Sequence, residues 1–426
     1  MADSTELSIA IIGAGIAGLT AAIGLKRNPS INVQIYERAT ELREIGATIA
    51  LGPNGLKTLD KLGIANALED SVAFRNKSGY PMIYKHYQTN ETVSVDRHSD
   101  AVLERYHTAR FHRPHLQRAL LQHVEPSIIN LNKSFASVKQ DDITGKLLVT
   151  FTDESTTLVD LVLGADGINS AVRKYFVPTS QASWTGWVAF RSVFPSSHLS
   201  HIADLPDEAV HIWGPDRTLF LSPLAQGLFT VVGSHQSDPK SPNAAFNDSL
   251  WSSDGDVSTL REFYKDWSPV VKAIIDATPY TKVYPNTAAD TLSTWIFGDG
   301  RVTLAGDAAH AHGGAFAAGG SEAIDDAWAF SQAVLHFFSE SAYPNDSRAS
   351  KVARALQLYA ATRQSHTKRV QTTVQARNAR VVKRLGEQET DGSLRKRMTQ
   401  REDLKWIHEH DVEAAFKEAK RQFLKL

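Results

Sequence analysis

Leu7 to Ile12 is a short apolar run that ends in glycines, and Ala14 to Leu25 behind it has helical composition. Val33 to Tyr36 is a second apolar run, so the opening predicts strand, helix and strand. Residues 115 to 124 predict another helix, and Leu158 to Leu163 another buried strand. The middle changes character. Trp187 to Phe194, Val210 to Trp213, Thr218 to Leu221 and Leu228 to Gly233 are β-rich and separated by Pro, Gly and Asp. That pattern suits an antiparallel sheet with one solvated or ligand-facing side. Arg301 to Ala305 returns to a buried strand before a glycine-rich loop, and Ile324, Trp328, Ser331, Leu335 and Phe338 then mark one face of a helix. From Ser350 onward the chain reads as helical and strongly charged. The expected fold is an α/β domain interrupted by a β-rich insertion, with a helical tail.

Composition narrows the function. The 426 residues predict two or three domains. Forty-six basic against 47 acidic side chains leave a formal charge of −1, which argues against nucleic-acid or anionic-membrane partners. There is no cysteine, so disulfides, zinc–thiolate sites, iron–sulfur clusters and a thiol relay are excluded. Redox chemistry here requires a bound cofactor, and no metal site is expected. Ile9 to Leu25 is apolar apart from Thr20 and approaches membrane-spanning length, but Gly13, Gly15, Gly18 and Gly24 favour a phosphate loop instead. Met1 to Glu6 lacks the basic start of a secretory signal, and Leu424-Lys425-Leu426 only weakly echoes a peroxisomal tripeptide. A cytoplasmic protein is expected.

The sharpest local motif is Gly13-Ala14-Gly15-Ile16-Ala17-Gly18, set between a strand and a helix. Gly13 permits the tight turn, Gly15 lets backbone approach a pyrophosphate, and Gly18 lets the helix pack on the strand. The helix N-terminus then offers free N–H groups to phosphates. Glu37 closes the second strand nineteen residues later, where a carboxylate can accept both ribose hydroxyls. This pattern alone leaves NAD and FAD open.

Two further segments separate them by resemblance. Gly164-Ala165-Asp166-Gly167-Ile168-Asn169-Ser170-Ala171-Val172-Arg173 resembles the "DG" motif of flavoprotein aromatic hydroxylases, and Gly306-Asp307-Ala308-Ala309-His310 resembles their second FAD motif. Ile45-Gly46-Ala47, Pro53-Asn54-Gly55, and Arg113 with Leu116 and Leu120 fit the same order over roughly the first 330 residues. The chain therefore resembles the single-component FAD-dependent monooxygenases of the salicylate-hydroxylase type. The resemblance implies a Rossmann-type FAD-binding domain from residues 1–75, 100–176 and 288–345. It also implies a β-rich substrate domain from 76–99 and 177–287, and a C-terminal helical region from 346–426. Gly13, Gly15, Ala17, Gly18, Glu37, Arg38, Ala50, Arg113, Asp166, Asp307, Gly319 and Gly320 are the implied cofactor contacts. NAD(P)H is the implied co-substrate: it reduces FAD, and the flavin hydroperoxide formed with O2 hydroxylates a small phenolic or hydroxybenzoate-type ring, with or without decarboxylation. A monomer or homodimer is expected. The resemblance associates the segment of Asp166 and Arg173 with both FAD and the nicotinamide donor; the two residues read equally as a buried ion pair joining two loops, which leaves their role open.

On the substrate side, alternation places Arg191 on one face with Trp187, Ala189 and Val193. A cation among apolar neighbours is costly unless a phenolate, a carboxylate substrate, the flavin edge or a structural Asp or Glu meets it. Relatives pair this Arg with a Tyr just before a Pro on a later strand; the matching position here is Ser222-Pro223, without the Tyr. Gly314 replaces a Pro expected four residues after His310, which loosens that loop in the unfolded chain. His211, His235, His310 and His312 are the candidate bases. Arg191, His235 and His312 form the expected catalytic set. Two alternatives stand beside the hydroxylase: an FAD-dependent dehydrogenase or oxidase working without nicotinamide, and a flavin-binding sensor. The sensor would dock partners through Leu356, Tyr359, Ala360, Val370 and Val374 on a tail helix, a face whose expected use is packing back onto the chain's own domain.

Overall fold

A computed structural model describes residues 6–42, 47–236, 253–339, 343–384 and 387–423. Ile45, Gly46 and Leu424 to Leu426, singled out above, lie outside them, as do residues 1–5. Leu7–Ile12 forms the centre of a six-stranded sheet. Ile31–Tyr36 runs parallel on one side, with Val33 beside Ile9, and Leu161–Gly164 on the other, with Leu161 beside Ile9. Val302–Leu304 continues the parallel set, and Ile296–Phe297 turns back antiparallel at the edge. Near-continuous burial of the central strands reflects cover by helix Ile16–Leu25 and by the antiparallel strands Phe135–Gln140, Leu147–Phe151 and Thr156–Val159, with the Tyr36 ring 4.6 Å from that of Phe151. Helix Ile16–Leu25 follows the glycine loop and packs on helix Gly319–Phe337 so closely that a Cβ on Gly24 would collide with Ser331. That contact explains Gly24. Among the described residues no helix is long and apolar enough to cross a membrane.

The run Leu158 to Leu163 is divided rather than continuous. Thr156–Val159 joins a small antiparallel sheet and Leu161–Gly164 the central one. Asp160 sits at the corner, accepting the Ser8 N–H at 2.8 Å and the Ser8 hydroxyl at 2.7 Å.

The second large sheet has eight strands among the described residues. Its order is Ser253–Gly255, Thr281–Ala289, Ala182–Pro195, Leu228–Gln236, Arg217–Leu224, Val210–Trp213, Ile83–His86 and Thr92–Val95. Alternation divides its faces. Val188, Phe190, Ile212, Leu219, Leu221, Phe229 and Val231 pack with helices Val257–Tyr264 and Pro269–Asp276. Trp187, Ala189, Arg191, His211, Trp213, Phe220 and Ser234 take the opposite parity and line a cavity.

The charged tail is not a detached arm. Helix Arg348–Lys383 lies along Gly319–Phe337, and Leu356, Tyr359, Ala360, Val370 and Val374 are all buried against the chain's own core. The Tyr359 hydroxyl donates to the Leu304 carbonyl at 2.9 Å. Arg363, fully buried, donates to Asp326 at 2.8 Å and Glu322 at 2.5 Å. Asp326 also meets His310 Nε2 at 2.5 Å and accepts the Gly306 N–H at 2.9 Å, while Glu322 meets His366 at 3.1 Å. A buried charge network thus ties the tail helix to the segment carrying Asp307.

Candidate active site

One cavity of about 1550 Å3 runs from the glycine loop, across the open face of the eight-stranded sheet, to the C-terminal helices. Its first end is built from backbone. Gly13 has φ +109°, and a Cβ there would lie 2.5 Å from the Ala165 carbonyl oxygen; one on Gly18 would strike the Gly13 carbonyl. Both glycines are forced by close packing. Gly15 differs, because its Cβ would meet nothing within 4 Å and Gly15 lines the cavity. Glu37 clasps the loop, accepting the Ala14 and Ala39 N–H groups at 2.9 Å each, and still faces the cavity. Ala17, Ala50, Arg113, Asp307, Gly319 and Gly320 line the same end. Gly320 sits where a Cβ would press on Ile49 at 2.6 Å and Leu51 at 2.9 Å, so helix Gly319–Phe337 brings its N-terminus hard against Thr48–Leu51. The open Gly15 cradle, two helix N-termini, a ribose-ready carboxylate and Arg113 fit a dinucleotide such as FAD.

Gly15→Val tests this end. The side chain would enter open cavity, so the fold should persist while FAD affinity falls by about a hundredfold, the loss of about 3 kcal/mol of phosphate contacts. Flavin titration beside circular dichroism reads both; a folded variant with unchanged FAD affinity would remove the cradle from this role.

Two residues expected here lie elsewhere. Arg38 is exposed and does not line the cavity; it lies beyond the end of strand Ile31–Tyr36, where Glu37 beside it takes the place facing the glycine loop. Asp166 also stays off the cavity wall: its carboxylate accepts the N–H groups of Ala171 at 2.7 Å and Val172 at 3.2 Å, capping helix Ala171–Phe176. Burial raises its pKa. Arg173 does not pair with it, but donates to the Ala309 carbonyl at 3.1 Å, the Asp290 carbonyl and the Ser180 hydroxyl at 2.7 Å. The Asp–Arg pair is therefore absent; the two residues instead brace neighbouring loops.

The middle of the cavity gathers the substrate-side groups. Arg191 lies there with its guanidinium 5.3 Å from the Tyr284 ring and, among the described residues, no carboxylate. Burial depresses its pKa, and Arg113 pushes the same way. Tyr284 was not anticipated. It precedes Pro285 on strand Thr281–Ala289, paired opposite Ala189, so a Tyr-Pro pair does stand beside Arg191, from a different strand than Ser222-Pro223. Ser222 itself is buried, its hydroxyl on the Pro223 carbonyl at 2.6 Å.

The histidines separate cleanly. His312 is buried at the cavity wall with both ring nitrogens lacking a partner, and burial lowers its pKa, so the ring is neutral. His310 turns away to Asp326. His235 points to the opposite face of the sheet, its ring 4.7 Å from Phe263, because Ser234 and Gln236 hold the cavity parity. His211 lines the cavity among Tyr84, Trp213 and Phe220, its pKa pushed down to about 3 by burial and by Arg377 and Arg401. Lowered from 6.5, this pKa leaves stability intact above about pH 6.5 and erodes it as pH falls toward 3. Between pH 7 and 5 the loss from His211 should be about 2 kcal/mol. Urea unfolding of His211→Asn should show a pH 7-to-5 drop smaller by that amount; an equal drop would refute the assignment.

Between helix Asp307–His310 and helix Gly319–Phe337 the chain adopts left-handed backbone at Gly313, Gly314, Phe316 and Ala317 (φ +72°, +69°, +58° and +55°). Phe316 and Ala317 carry side chains in that region, which stores strain. A Cβ on Gly314 would face the Arg191 guanidinium at 3.8 Å. The loop thus stands between the dinucleotide end and Arg191.

A parallel sheet with a glycine-loop dinucleotide cradle, opening onto an antiparallel sheet with an aromatic and cationic pocket, defines a flavoprotein aromatic hydroxylase. Residues 6–365 match the family model described as FAD binding domain, and the chain belongs to that family. It is 30% identical over 326 residues to 6-hydroxynicotinate 3-monooxygenase of Pseudomonas fluorescens, covering 75% of this chain and 80% of that one. Identity is 26% over 385 residues to salicylate hydroxylase of Pseudomonas putida, covering 86% and 84%. A solved salicylate hydroxylase substrate complex superposes with a TM-score of 0.78 over 97% of this chain and 98% of that one; at 21% identity this likeness speaks to the fold.

Proposed function

We propose that this enzyme uses NAD(P)H and O2 to hydroxylate a small phenolic or hydroxybenzoate-type ring, with loss of CO2 when the carboxylate stands on the reacting carbon. The carrying observation is Arg191: a cation facing the cavity beside Tyr284, with no carboxylate partner among the described residues. A ring bearing a carboxylate or phenolate supplies the missing anion. The names of the relatives, which act on hydroxynicotinate and salicylate, support the same class.

Bound FAD would be held by the Gly13–Gly18 loop, Glu37, Arg113 and Asp307, and it supplies the hydride acceptance and oxygen activation. This chain's residues do the rest. Arg191 binds and orients the anionic ring substituent, and the Tyr284 ring fixes the guanidinium from one side. Neutral His312 accepts the phenolic proton at one of its open ring nitrogens. Trp187, Ala189 and Phe220 exclude water from the ring. In this reading residues 1–75, 100–176 and 288–345 bind the cofactor, and 76–99 with 177–287 bind substrate, in a cytoplasmic monomer or homodimer. Strand Thr281–Ala289 bridges the two.

The test is product analysis after incubation with FAD, both nicotinamides, a panel of phenolic acids and ¹⁸O2. One labelled oxygen atom per product molecule is expected, and a mass lower by CO2 marks decarboxylation. Anaerobic bleaching of the flavin by substrate alone would instead place the chain among dehydrogenases and oxidases.

A further inference from the structure

We propose that the C-terminal end of the cavity is a second anion site that holds the phosphate groups of the nicotinamide donor. The proposal rests on the reading of NAD(P)H as reductant. Its centre is Arg377, on helix Arg348–Lys383 one turn beyond the buried Val374. The Arg377 guanidinium lies 4.9 Å from the centroid of Phe316, in the strained loop beside Arg191. It is half-buried, lines the cavity, and has no hydrogen bond or ion pair among the described residues. Burial lowers its pKa; Arg397 and Arg384 push the same way, against Tyr84 and the exposed Glu402.

The surrounding cations are more numerous than their carboxylates. Arg397 and Arg384 share Glu389, at 2.6 Å and 3.9 Å. Arg401 has Asp96, and Arg217 has Asp216 at 2.6 Å. Arg380 and Lys383 also line the cavity, with no carboxylate in ion-pair reach among the described residues. Aromatic faces hold the fork groups in place, with Arg397 5.0 Å from the Trp213 ring and Arg401 3.3 Å from the Tyr84 ring. The Trp213 indole N–H is buried without an acceptor. A half-buried guanidinium among like charges is costly until an anion arrives.

A diphosphate matches this arrangement better than a single carboxylate. It brings two charges, and guanidinium forks grip phosphate oxygens in pairs. The carboxylate of an aromatic substrate already has Arg191, on the far side of the Phe316 loop. The first end of the cavity is formed for the dinucleotide that stays bound, which leaves the C-terminal end, lined by the exposed Arg380 and Lys383, for the one that must come and go.

The test uses FAD-loaded enzyme and three proteins: wild type, Arg377→Met, and Arg380→Ala/Lys383→Ala. Met keeps the packing on Phe316, and the double variant alters only exposed side chains, so both remain folded. In calorimetry, inorganic pyrophosphate should bind oxidised wild-type enzyme and bind Arg377→Met about tenfold more weakly, with a smaller loss in the double variant. In anaerobic stopped-flow reduction, the Kd for NADH or NADPH should rise about tenfold in Arg377→Met, while substrate Kd and FAD retention stay as in wild type. Equal pyrophosphate and donor binding in all three proteins would overturn the site. A rise in substrate Kd with unchanged donor Kd would also overturn it, assigning the arginines to an anionic tail of the substrate. Failure of both nicotinamides to reduce wild-type flavin would overturn the donor reading itself, and the pyrophosphate titration separates that outcome from loss of the site.

Discussion

Arg363→Met is expected to destabilise the protein by about 3–5 kcal/mol, because it strands two buried carboxylates. Arg363 is the cation shared by Glu322 and Asp326, all three fully buried. Burial alone would raise both acids; Arg363 and the histidines hold them below the ordinary carboxylate range instead. Taking the guanidinium away leaves a charge pair that must either stay unpaired or take up protons. The effect should reach the cofactor, since Asp326 also holds the Gly306 N–H and His310 on either side of Asp307. Chemical unfolding with flavin release as a second signal reads both. Neutralising the acids in the same protein, as Glu322→Gln/Asp326→Asn/Arg363→Met, should recover part of the loss, because a wholly uncharged set needs no cation. A triple variant weaker than Arg363→Met would show that the network is not held by charge balance.

The second large effect falls on turnover. Arg191→Met should lower kcat/KM for a hydroxybenzoate-type substrate by about 2–5 kcal/mol, a factor from about thirty to several thousand. The aliphatic stem keeps its packing and only the charge is lost. FAD affinity and melting temperature should change little; if anything stability should rise, since Arg113 pushes against the same cation. The loss should be smaller for a plain phenol than for its carboxylated analogue. Equal losses for both would mean that Arg191 does not read the carboxylate.

What the sequence discloses here is whatever depends on near neighbours. Leu7–Ile12, the glycine loop and Glu37 obey rules that span fewer than forty residues, and alternation alone gave the cavity face of Arg191. The same alternation, carried from Val232 to Gln236, puts His235 on the other face. Tyr284 was hidden by a long-range register: its strand pairs with the Arg191 strand, whereas counting along the chain leads to Ser222. Arg363 and Arg377 were hidden by composition. A charged helix reads as a solvated face, and only its docking on Gly319–Phe337 and on the Phe316 loop singles out the turns that are buried.

The order of strands in the central sheet has a consequence in time. Leu7–Ile12 needs Leu161–Gly164 on one flank, and that strand in turn needs Val302–Leu304. At about 5–20 residues per second, a ribosome takes about 15–60 s to deliver the last of these after the first. Throughout that interval Leu7–Ile12 has only part of its sheet, first Ile31–Tyr36 and later Leu161–Gly164, and the flavin cradle lacks Asp307, Gly319 and Gly320. Nascent chains should therefore lean on chaperones until synthesis passes Leu304, and cofactor capture is a late event. Truncation before that point yields a chain with the glycine motif intact and the cradle for a dinucleotide incomplete.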